Sequence, residues 1–409
     1  MTKAEGSKPA PAELKADTKV TTGGRNPHAH HGYVNTPVYH ASTLLYRTAE
    51  DYLAQNSQYH YGRRGTPTSE ALEKAIQEIE GPACAAVALL PSGLAAASTA
   101  LLAALKSGDH VLMTDSVYSP TRTFCDTVLT RCGVTTTYYD PLIGAGIAAL
   151  MRPNTRAVYT ESPGSLTFEM QDVPAIAAVA RERGALVIAD NTWATPLYFK
   201  PLAHGADVSL MAGTKYLGGH SDVNIGTVAA NEKAWPKLKE THGTLGLTVG
   251  PDDIYLALRG LRTLGVRLDR QMASGLEVAK WLAARPEVSR VLHPALPGDP
   301  GQALWRRDMS GASGLFGLVL GGWTEAEAKV FVDGLRLFGI GASWGGFESL
   351  AILAKVGHVR TAVPWHAEGP LIRLHIGLED PADLIADLDQ SFATVAAMRA
   401  EGRSEPAPG

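Results

Sequence analysis

Between residues 68 and 230, short apolar segments alternate with helical ones, and this alternation constrains the fold more than any other feature of the chain. The apolar segments carry hydrophobic residues on both faces, which is typical of buried, mostly parallel strands. They are AAVALL (85–90), HVLMTD (110–115), VTTTYY (134–139), RAVYTES (156–162), ALVIAD (185–190), ADVSLM (206–211) and NIGTVAA (224–230). The pattern predicts a doubly wound α/β domain with a mostly parallel central sheet flanked by helices.

Helical signals lie before, between and after these segments. Leu72, Ile76 and Ile79 share one helical face in a segment that ends in Gly-Pro. A long helical stretch runs from Asp252 to about residue 284, and an amphipathic helix closes the sequence before residue 400. Further helices are predicted in LAAASTALLAALKSG (94–108), GIAALM (146–151) and PAIAAVARERG (174–184).

These patterns divide the chain into parts with different roles. The larger α/β domain covers 61–255, and a smaller C-terminal α+β domain covers 256–400. An N-terminal arm covers 21–60. Residues 1–20 and 401–409 are rich in Ala, Pro and charged residues, and we expect a disordered lead-in and a disordered tail.

Composition argues against several classes of protein. The chain has 37 basic and 41 acidic residues and a net charge of -4, without clusters of either sign, so neither nucleic acid nor a membrane surface is an expected partner. No apolar run approaches the roughly 20 residues that span a bilayer. The 3 cysteines are an odd number without metal-type spacing. They predict a cytoplasmic protein without disulfides, and we expect no metal site.

Four residues or turns follow predicted strands, at the sheet edge where open α/β proteins bind ligands. Ser92-Gly93 lies at a strand-to-helix turn, where backbone N–H groups can hold a phosphate. Tyr118 can stack on a flat ring, Asp190 can pair with a cationic nitrogen, and Lys215 among small and apolar neighbours can act as a nucleophilic amine. Taken singly, each has an ordinary alternative: a tight turn, a core tyrosine, a helix cap and a solvated lysine.

The combination is more informative than its members. A phosphate turn, a stacking aromatic, an aspartate and a lysine occur in this order on separate strands of one sheet. They are the groups that would hold pyridoxal 5′-phosphate (PLP), with Lys215 joined to it as a Schiff base. The sequence therefore predicts a PLP-dependent enzyme.

Longer stretches resemble the Cys/Met-metabolism family of fold-type I PLP enzymes, from about residue 21 to residue 398. The matching stretches are YGRRGTPT (61–68), PSGLAA (91–96), DSVYSPT (115–121), ESPGS (161–165), DNTWATP (190–196), GTKYLGGHSD (213–222), ALRGLRTL (257–264), SWGGFESL (343–350) and IRLHIGLED (372–380). Within the family, the chain is most similar to the bacterial β-lyases that act on cystathionine. The resemblance implies a carbon–sulfur lyase of methionine synthesis, assembled as a homotetramer (a dimer of dimers) with a sulfur-containing amino acid as substrate.

The resemblance also implies a role for individual residues. Lys215 would hold the cofactor and move protons, Asp190 would pair with its ring nitrogen, and Tyr118 would stack on its ring. Candidate phosphate contacts are Ser92, Gly93, Leu94 and Thr214, joined by Tyr61 and Arg63 from a neighbouring subunit that the arm contacts. Candidate substrate contacts are Arg373 for the α-carboxylate, with Ser343 and Trp344 beside it.

Some of these roles have alternatives in the sequence itself. Arg373 alternates in phase with His375 on one strand face, and such a polar face is also typical of solvent exposure. Tyr61 and Arg63 lie in a segment that is equally typical of a solvated loop. The group that protonates the leaving sulfur, Lys215 or Tyr118, is open at this point.

Two departures from the family concern the reaction type. Many relatives carry Asn where Ser165 stands here, and many carry Ser at the position of Ala212. Both features are shared with the β-lyase branch and favour β-elimination. The alternatives are γ-elimination or sulfhydrylase chemistry on the same scaffold, β-elimination on another S-substituted cysteine, and a non-catalytic regulator with this fold.

Overall fold

The computed structural model describes residues 14–402, and the rest of the predicted lead-in and tail lies outside the described residues. Its larger sheet contains β1 (Ala86–Leu90), β2 (His110–Thr114), β3 (Thr135–Tyr139), β4 (Thr155–Glu161), β5 (Leu186–Asp190), β6 (Val208–Ala212) and β7 (Gly226–Ala230). Each predicted apolar segment overlaps one of these strands. The order across the sheet is β1-β7-β6-β5-β4-β2-β3, and β7 runs antiparallel to both its neighbours while the other pairs are parallel. The predicted mostly parallel sheet is confirmed.

Helices cover both faces of this sheet. The helices are α1 (Ala16–Thr22), α2 (Ala49–Leu53), α3 (Pro67–Glu80), α4 (Gly93–Ala104), α5 (Ser119–Phe124), α6 (Val173–Glu182), α7 (Thr195–Tyr198), α8 (Trp235–Leu245), α9 (Pro251–Leu261), α10 (Leu264–Ala283), α11 (Gln302–Asp308), α12 (Glu325–Asp333) and α13 (Pro381–Ala400). Apolar side chains of α3, α6 and α9 pack on one face, and those of α4 and α8 pack on the other. The domain is therefore doubly wound, and its helix α3 begins where the Thr66 side chain caps the backbone N–H of Ser69.

The second, smaller sheet is antiparallel and belongs to the C-terminal half. Its strands β8 (Val288–Leu292), β9 (Leu315–Leu320), β10 (Leu350–Ala354) and β11 (Leu371–His375) lie in the order β10-β11-β9-β8. Apolar residues of α10, α12 and α13 cover one face of this sheet, where they pack against Ile372 and Leu374 of β11. Arg373 and His375 occupy the opposite face, as their phase predicts, but both are buried rather than exposed to solvent.

The structure differs from the sequence-based expectations in several local details. Strand β3 is an edge strand, and its threonines are partly exposed rather than buried on both faces. The predicted helix at 146–151 is a 3-10 helix, Gly144–Leu150. The long helical stretch after Asp252 is two helices, which are separated by Arg262 and Thr263, whose N–H groups donate to carbonyls three residues back. The Arg262 side chain donates to the carbonyl oxygens of Val20 and Gly23, each at 2.8 Å.

The end of the predicted lead-in is also ordered. Residues 16–20 form most of helix α1, whose Val20 is 2% exposed and packs into the core beside α3 and α10. A charged, Ala-rich segment does not suggest order by composition, but the buried Val20 side chain and the bond from Arg262 to the Val20 carbonyl hold this short helix against the core. The tail begins as a turn at 401–402.

The arm that follows α1 exposes much apolar surface. Leu45 is 94% exposed and Leu53 80%, and Tyr33 and Val34 also lie mostly in solvent. Among the described helices, none combines the length with the apolar composition needed to cross a bilayer. Cys84, Cys125 and Cys132 are free thiols.

Candidate active site

A cavity of about 210 Å³ lies at the carboxyl ends of the parallel strands. Most of the predicted site residues line it: Ser92, Gly93, Leu94, Tyr118, Asp190, Thr214, Lys215, Trp344 and Arg373. Ser343 adjoins it through a hydrogen bond to Lys215. The strand-end arrangement expected from the sequence is thus realised, since β1, β2, β5 and β6 bring residues distant in the chain to one place.

The turn after β1 is built for a close approach of backbone to ligand. The Ser92 side chain caps α4 by accepting the N–H of Ala95 at 3.1 Å. The next residue, Gly93, packs so tightly on β6 that an added Cβ would lie 2.4 Å from the Cβ of Ala212. The first N–H groups of α4, at Gly93 and Leu94, have no acceptor within the helix and point the positive end of its dipole at the cavity. An anion is the natural ligand here.

Asp190 ends β5 on the sheet face that is covered by α4. One carboxylate oxygen, Oδ1, accepts the N–H of Thr192 at 3.0 Å and its hydroxyl at 2.5 Å. The other, Oδ2, accepts a long 3.4 Å bond from the Tyr159 hydroxyl. Asp190 is thus held rigidly through Oδ1, while Oδ2 is the oxygen with capacity left for a cationic nitrogen.

Glu161 was not among the predicted site residues, although it ends β4 as Asp190 ends β5. The two residues are partners in the register of these parallel strands, and both line the cavity. Burial raises the pKa of both carboxyls, and the neighbouring Asp190 charge raises that of Glu161 well above its usual range. Because Thr192 donates two bonds to Asp190, the negative charge settles on Asp190 and Glu161 keeps its proton.

Thr192 was missed as well, and it links two strands. Its hydroxyl donates to Asp190 and accepts the N–H of Ala212 at 2.9 Å. The signal for Thr192 was its position two residues after a strand-end aspartate, which is typical of a side-chain turn. For Glu161, the signal was a second acidic residue closing a buried strand.

Lys215 lies on the turn that follows β6. Its Nζ donates to the Ser343 hydroxyl at 2.7 Å and lies 5.3 Å from the centroid of the Trp344 ring. Burial, with the nearby charge of Arg373, lowers the pKa of Lys215 to about 8. Gly345 packs against the Lys215 backbone and has a φ of 89°. A Cβ added at Gly345 would lie 2.8 Å from the Lys215 carbonyl carbon, which is too close for a side chain. A glycine is required at this point to bring the Ser343 loop over the lysine.

Tyr118 stands at the start of α5 and is fixed through its backbone. Its N–H donates to Glu161 Oε2 at 2.7 Å, and its side chain is 46% exposed at the cavity. Burial, with the nearby charge of Asp190, raises the pKa of the Tyr118 hydroxyl. The ring is therefore neutral at physiological pH and free to cover a planar ligand.

Arg373 reaches the cavity from β11 of the smaller sheet. Its Nη1 donates to the carbonyl of Ala342 at 3.1 Å, and its Nη2 donates to those of Gly341 and Ser343 at 3.0 and 2.9 Å. The Nε group is buried and has no acceptor among residues 14–402. A buried guanidinium with an unpaired N–H beside a cavity is suited to a carboxylate ligand.

Tyr61 and Arg63 do not reach this cavity in the single chain. They line a separate cavity between the arm and α8, together with Arg64 and His242. Arg63 donates to the Gly243 carbonyl at 3.0 Å. Their position agrees with a role outside their own chain's site, which the sequence alone does not decide.

Ser165 and Ala212, the two departures from the family, both line the cavity. Thr214, a predicted phosphate contact, also lines it, but its hydroxyl exchanges hydrogen bonds with the backbone of Ile225. The hydroxyl must give up its bond to the Ile225 carbonyl before it can donate to a phosphate.

The residues present fit PLP on structural grounds. The glycine-lined turn would hold the phosphate, Asp190 Oδ2 would meet the ring nitrogen, and Lys215 would meet the aldehyde carbon. The Arg373 Nε–H, which has no acceptor among the described residues, would donate to the carboxylate of an amino acid bound beside the cofactor. This set combines an anion site, a carboxylate and a half-buried amine in one cavity, as the cofactor requires.

A family model described as Cys/Met metabolism PLP-dependent enzyme matches residues 17–393. The chain belongs to this family. The predicted cofactor, PLP, is confirmed by the match.

Individual relatives support the assignment to this family. The chain is 45% identical over 395 residues to the cystathionine beta-lyase MetC of Escherichia coli, covering 94% of this chain and 100% of that protein. It is 43% identical over 390 residues to the cystathionine beta-lyase of Haemophilus influenzae, covering 93% and 98%. The solved cystathionine gamma-lyase of Lactobacillus plantarum, complexed with L-serine, has a TM-score of 0.86 and 30% identity, covering 94% and 100%. The predicted fold-type I architecture and enzyme class, a PLP-dependent carbon–sulfur lyase, are confirmed.

The lowered pKa of Lys215 predicts how cofactor-free protein captures PLP. Only the neutral amine attacks the aldehyde, so the initial rate should rise with pH up to about 8 and then level off. The growth of yellow absorbance after rapid mixing measures this rate. A solvated lysine, with a pKa of about 10.4, would instead give a rate that still climbs tenfold per pH unit at about pH 9, and that result would contradict the assignment.

Proposed function

We propose that this enzyme cleaves the Cβ–S bond of L-cystathionine. With one water molecule, the products are homocysteine, pyruvate and ammonia, and the thiol product serves methionine synthesis. One observation carries the proposal: the Lys215 amine, held by Ser343, shares a cavity with the Asp190 carboxylate and the Arg373 guanidinium. These groups supply a base, a partner for a ring cation and an anchor for an amino-acid carboxylate. The names of the curated relatives support the choice of β-elimination.

Bound PLP would supply an electron-withdrawing ring that accommodates the negative charge left when Cα loses a proton. The side chains maintain the conditions for this. Asp190 stabilises a proton on the ring nitrogen because its own charge is fixed by Thr192. Glu161 is neutral and so adds no second negative charge at this edge of the sheet. It also accepts the backbone N–H of Tyr118, which keeps the tyrosine ring over the site.

Lys215 performs the proton transfers at the substrate. Its pKa of about 8 leaves a useful fraction of neutral amine to remove the Cα proton near neutral pH. The hydrogen bond to Ser343 keeps the amine at one place between the two domains. Arg373 fixes the substrate carboxylate, and with it the direction of the Cα–H bond relative to Lys215.

The same lysine is the better donor to the leaving sulfur. The ammonium form of Lys215 has a pKa close to that of an ordinary thiol, about 8.5, so proton transfer between them is nearly balanced. The Tyr118 hydroxyl has its pKa raised and is the weaker acid. We therefore assign protonation of the thiolate to Lys215 and ring stacking to Tyr118.

The alternative reaction on this scaffold is γ-elimination or γ-replacement. It requires a second proton to be removed from Cβ, and so makes a further demand on the site. Ser165 lines the cavity where many relatives with γ-chemistry carry Asn. A product assay distinguishes the reactions, since cystathionine gives pyruvate by β-elimination and 2-oxobutyrate by γ-elimination.

Replacing the lysine tests the function directly. We expect Lys215→Ala protein to lack the yellow absorbance of bound cofactor and to release no pyruvate from cystathionine, because both the cofactor anchor and the base are lost. Lys280→Ala, an exposed position on α10, is the control and should behave as the unaltered enzyme. Normal turnover by Lys215→Ala, or 2-oxobutyrate as the keto-acid product of unaltered enzyme, would reject the proposal.

Replacing the arginine tests the substrate contact. Arg373→Ala should weaken binding of the substrate carboxylate by about 2–5 kcal/mol, seen as a raised KM. Arg373→Lys should recover part of the loss, since it keeps the charge but not the planar fork. Amidation of the α-carboxylate in the cysteine half removes the same contact from the ligand side. This amide should bind unaltered and Arg373→Ala enzyme equally, and a continued difference between them would contradict the role.

We also propose that the active unit contains at least two chains and that the complete assembly is a homotetramer. The exposed apolar arm supports this, because Leu45, Leu53 and their neighbours lie mostly in solvent in the part of the chain that the structure describes. The location of Tyr61 and Arg63 outside their own Lys215 cavity supports shared sites. Each would reach the phosphate in the partner's cavity.

Mixing two inactive variants tests shared sites. Lys215→Ala and Arg63→Ala chains should each have little activity alone. After dissociation and reassociation together, hybrid pairs gain one site with both side chains intact, so about a quarter of all sites should regain pyruvate formation. If Arg63 served its own chain, every hybrid site would carry a defect and activity would not return.

A cytoplasmic location completes the proposal. It is supported by the three free thiols, one of which, Cys132, is exposed.

A further inference from the structure

The segment Gly164–Glu169 forms part of the cavity wall in a conformation that its residues disfavour. Leu166 has a φ of 64° and Phe168 a φ of 58°, in the left-handed region that bulky side chains avoid. Both side chains line the cavity, and Phe168 is almost fully buried. Such strained positions persist only where the surroundings hold them.

Bonds within the segment provide some of this hold. Gly164 N–H donates to the Glu169 carbonyl at 2.9 Å, and Phe168 N–H donates to the Gly164 carbonyl at 3.0 Å. The Thr167 hydroxyl donates to Glu169 Oε2 at 2.5 Å. Ser165 N–H donates to the Ser116 carbonyl, next to the strand end of β2. None of these bonds joins the segment to the smaller sheet.

That connection is made by Arg360, which lies between β10 and β11. Its Nη1 donates to the Thr167 hydroxyl at 3.1 Å and to Glu169 Oε1 at 2.8 Å. Its Nε donates to Asp115 Oδ2 at 3.2 Å. One buried guanidinium, carried by the chain between two strands of the smaller sheet, therefore contacts both the strained segment and Asp115 at the end of β2.

Arg360 is itself fixed by its neighbours in the chain. The Asp115 carboxylate accepts the backbone N–H groups of Thr361, Ala362 and Val363, each at 3.0 Å. Burial alone would raise the pKa of Asp115, but these donors and the Arg122 side chain hold it below its usual range. The carboxylate is thus ionised, and the stretch that follows Arg360 cannot move away from it without depriving a buried carboxylate of three backbone donors.

We infer that Arg360 is a positioning residue for substrate: it holds Gly164–Glu169 in the strained conformation that presents Leu166 and Phe168 to the cavity. The wall so formed is apolar and continues through Trp193 and Leu315. Its ligand would be the uncharged methylene and sulfur portion of the amino acid. The choice of substrate rests on the proposed function, whereas the hold on the segment does not.

Two variants weaken the hold in different ways. Thr167→Val keeps the side-chain shape but deletes the hydroxyl that accepts from Arg360 and donates to Glu169, while the pairing of Arg360 with Asp115 and Glu169 remains. Arg360→Lys keeps the charge but cannot reach Asp115, Thr167 and Glu169 in one planar arrangement. Arg122→Lys is the matched control, because Arg122 also pairs with buried Asp115 but makes no hydrogen bond to the segment.

The first measurement is amide hydrogen exchange of peptides covering 164–169 in the cofactor-loaded enzyme. Exchange should be at least about tenfold faster in Thr167→Val and Arg360→Lys than in the unaltered enzyme and in Arg122→Lys. The second is steady-state kinetics with cystathionine. KM should rise about tenfold in the first two variants while kcat changes less than about threefold, because the wall contacts substrate away from the reacting atoms.

The outcomes separate this inference from the proposed function. Unchanged exchange and KM in folded Thr167→Val would overturn the inference, as would an equal effect in Arg122→Lys or a loss confined to kcat. If Arg360→Lys does not fold, Thr167→Val decides. Failure of the proposed function would be seen in the unaltered enzyme, which would release no pyruvate, and the exchange measurement would still test the hold on the segment.

Discussion

Three neighbouring strands, β2, β4 and β5, each lead into a carboxyl group inside the protein at one edge of the sheet. Asp115, Glu161 and Asp190 would repel one another if all were ionised and unpaired, and each would lose its hydration. Each is accommodated differently. Arg122 and Arg360 neutralise Asp115, and Glu161 keeps its proton. Negative charge in the cavity is therefore concentrated on Asp190, the residue that we propose as the partner of a cationic ring nitrogen.

The second requirement is that both sheets contribute to one cavity. The larger sheet supplies the carboxylates and Lys215, whereas the smaller sheet and its loops supply Ser343, Arg373 and Arg360. The direct links are short, including the 2.7 Å bond from Lys215 to Ser343 and the 3.2 Å bond from Arg360 to Asp115. Cofactor chemistry and substrate recognition thus depend on one relative placement of the two sheets.

Much of this arrangement could be predicted from the sequence, because it follows from local patterns. Apolar periodicity identified the strands, and their order placed Asp190 and Lys215 at one edge. What escaped prediction depends on contacts between distant residues. Arg360 meets Asp115 across 245 positions, and the Arg262 side chain reaches the backbone carbonyls of Val20 and Gly23 at the end of the first helix. The spacing of apolar residues along the sequence does not predict contacts between such distant residues. Nor does a pattern reveal which of two strand-end carboxyls keeps its proton, since that depends on the donors supplied by Thr192.

The hydrogen bonds of Arg373 have a consequence for affinity. A free arginine side chain loses about 2 kcal/mol of rotamer entropy when a ligand immobilises it. Here the backbone carbonyls of Gly341, Ala342 and Ser343 immobilise the guanidinium before any ligand arrives. That entropy is lost during folding, so the substrate carboxylate that we propose for this site would meet a preorganised partner. Small amino acids bury little surface, and their limited binding energy would not have to offset the ordering of this side chain.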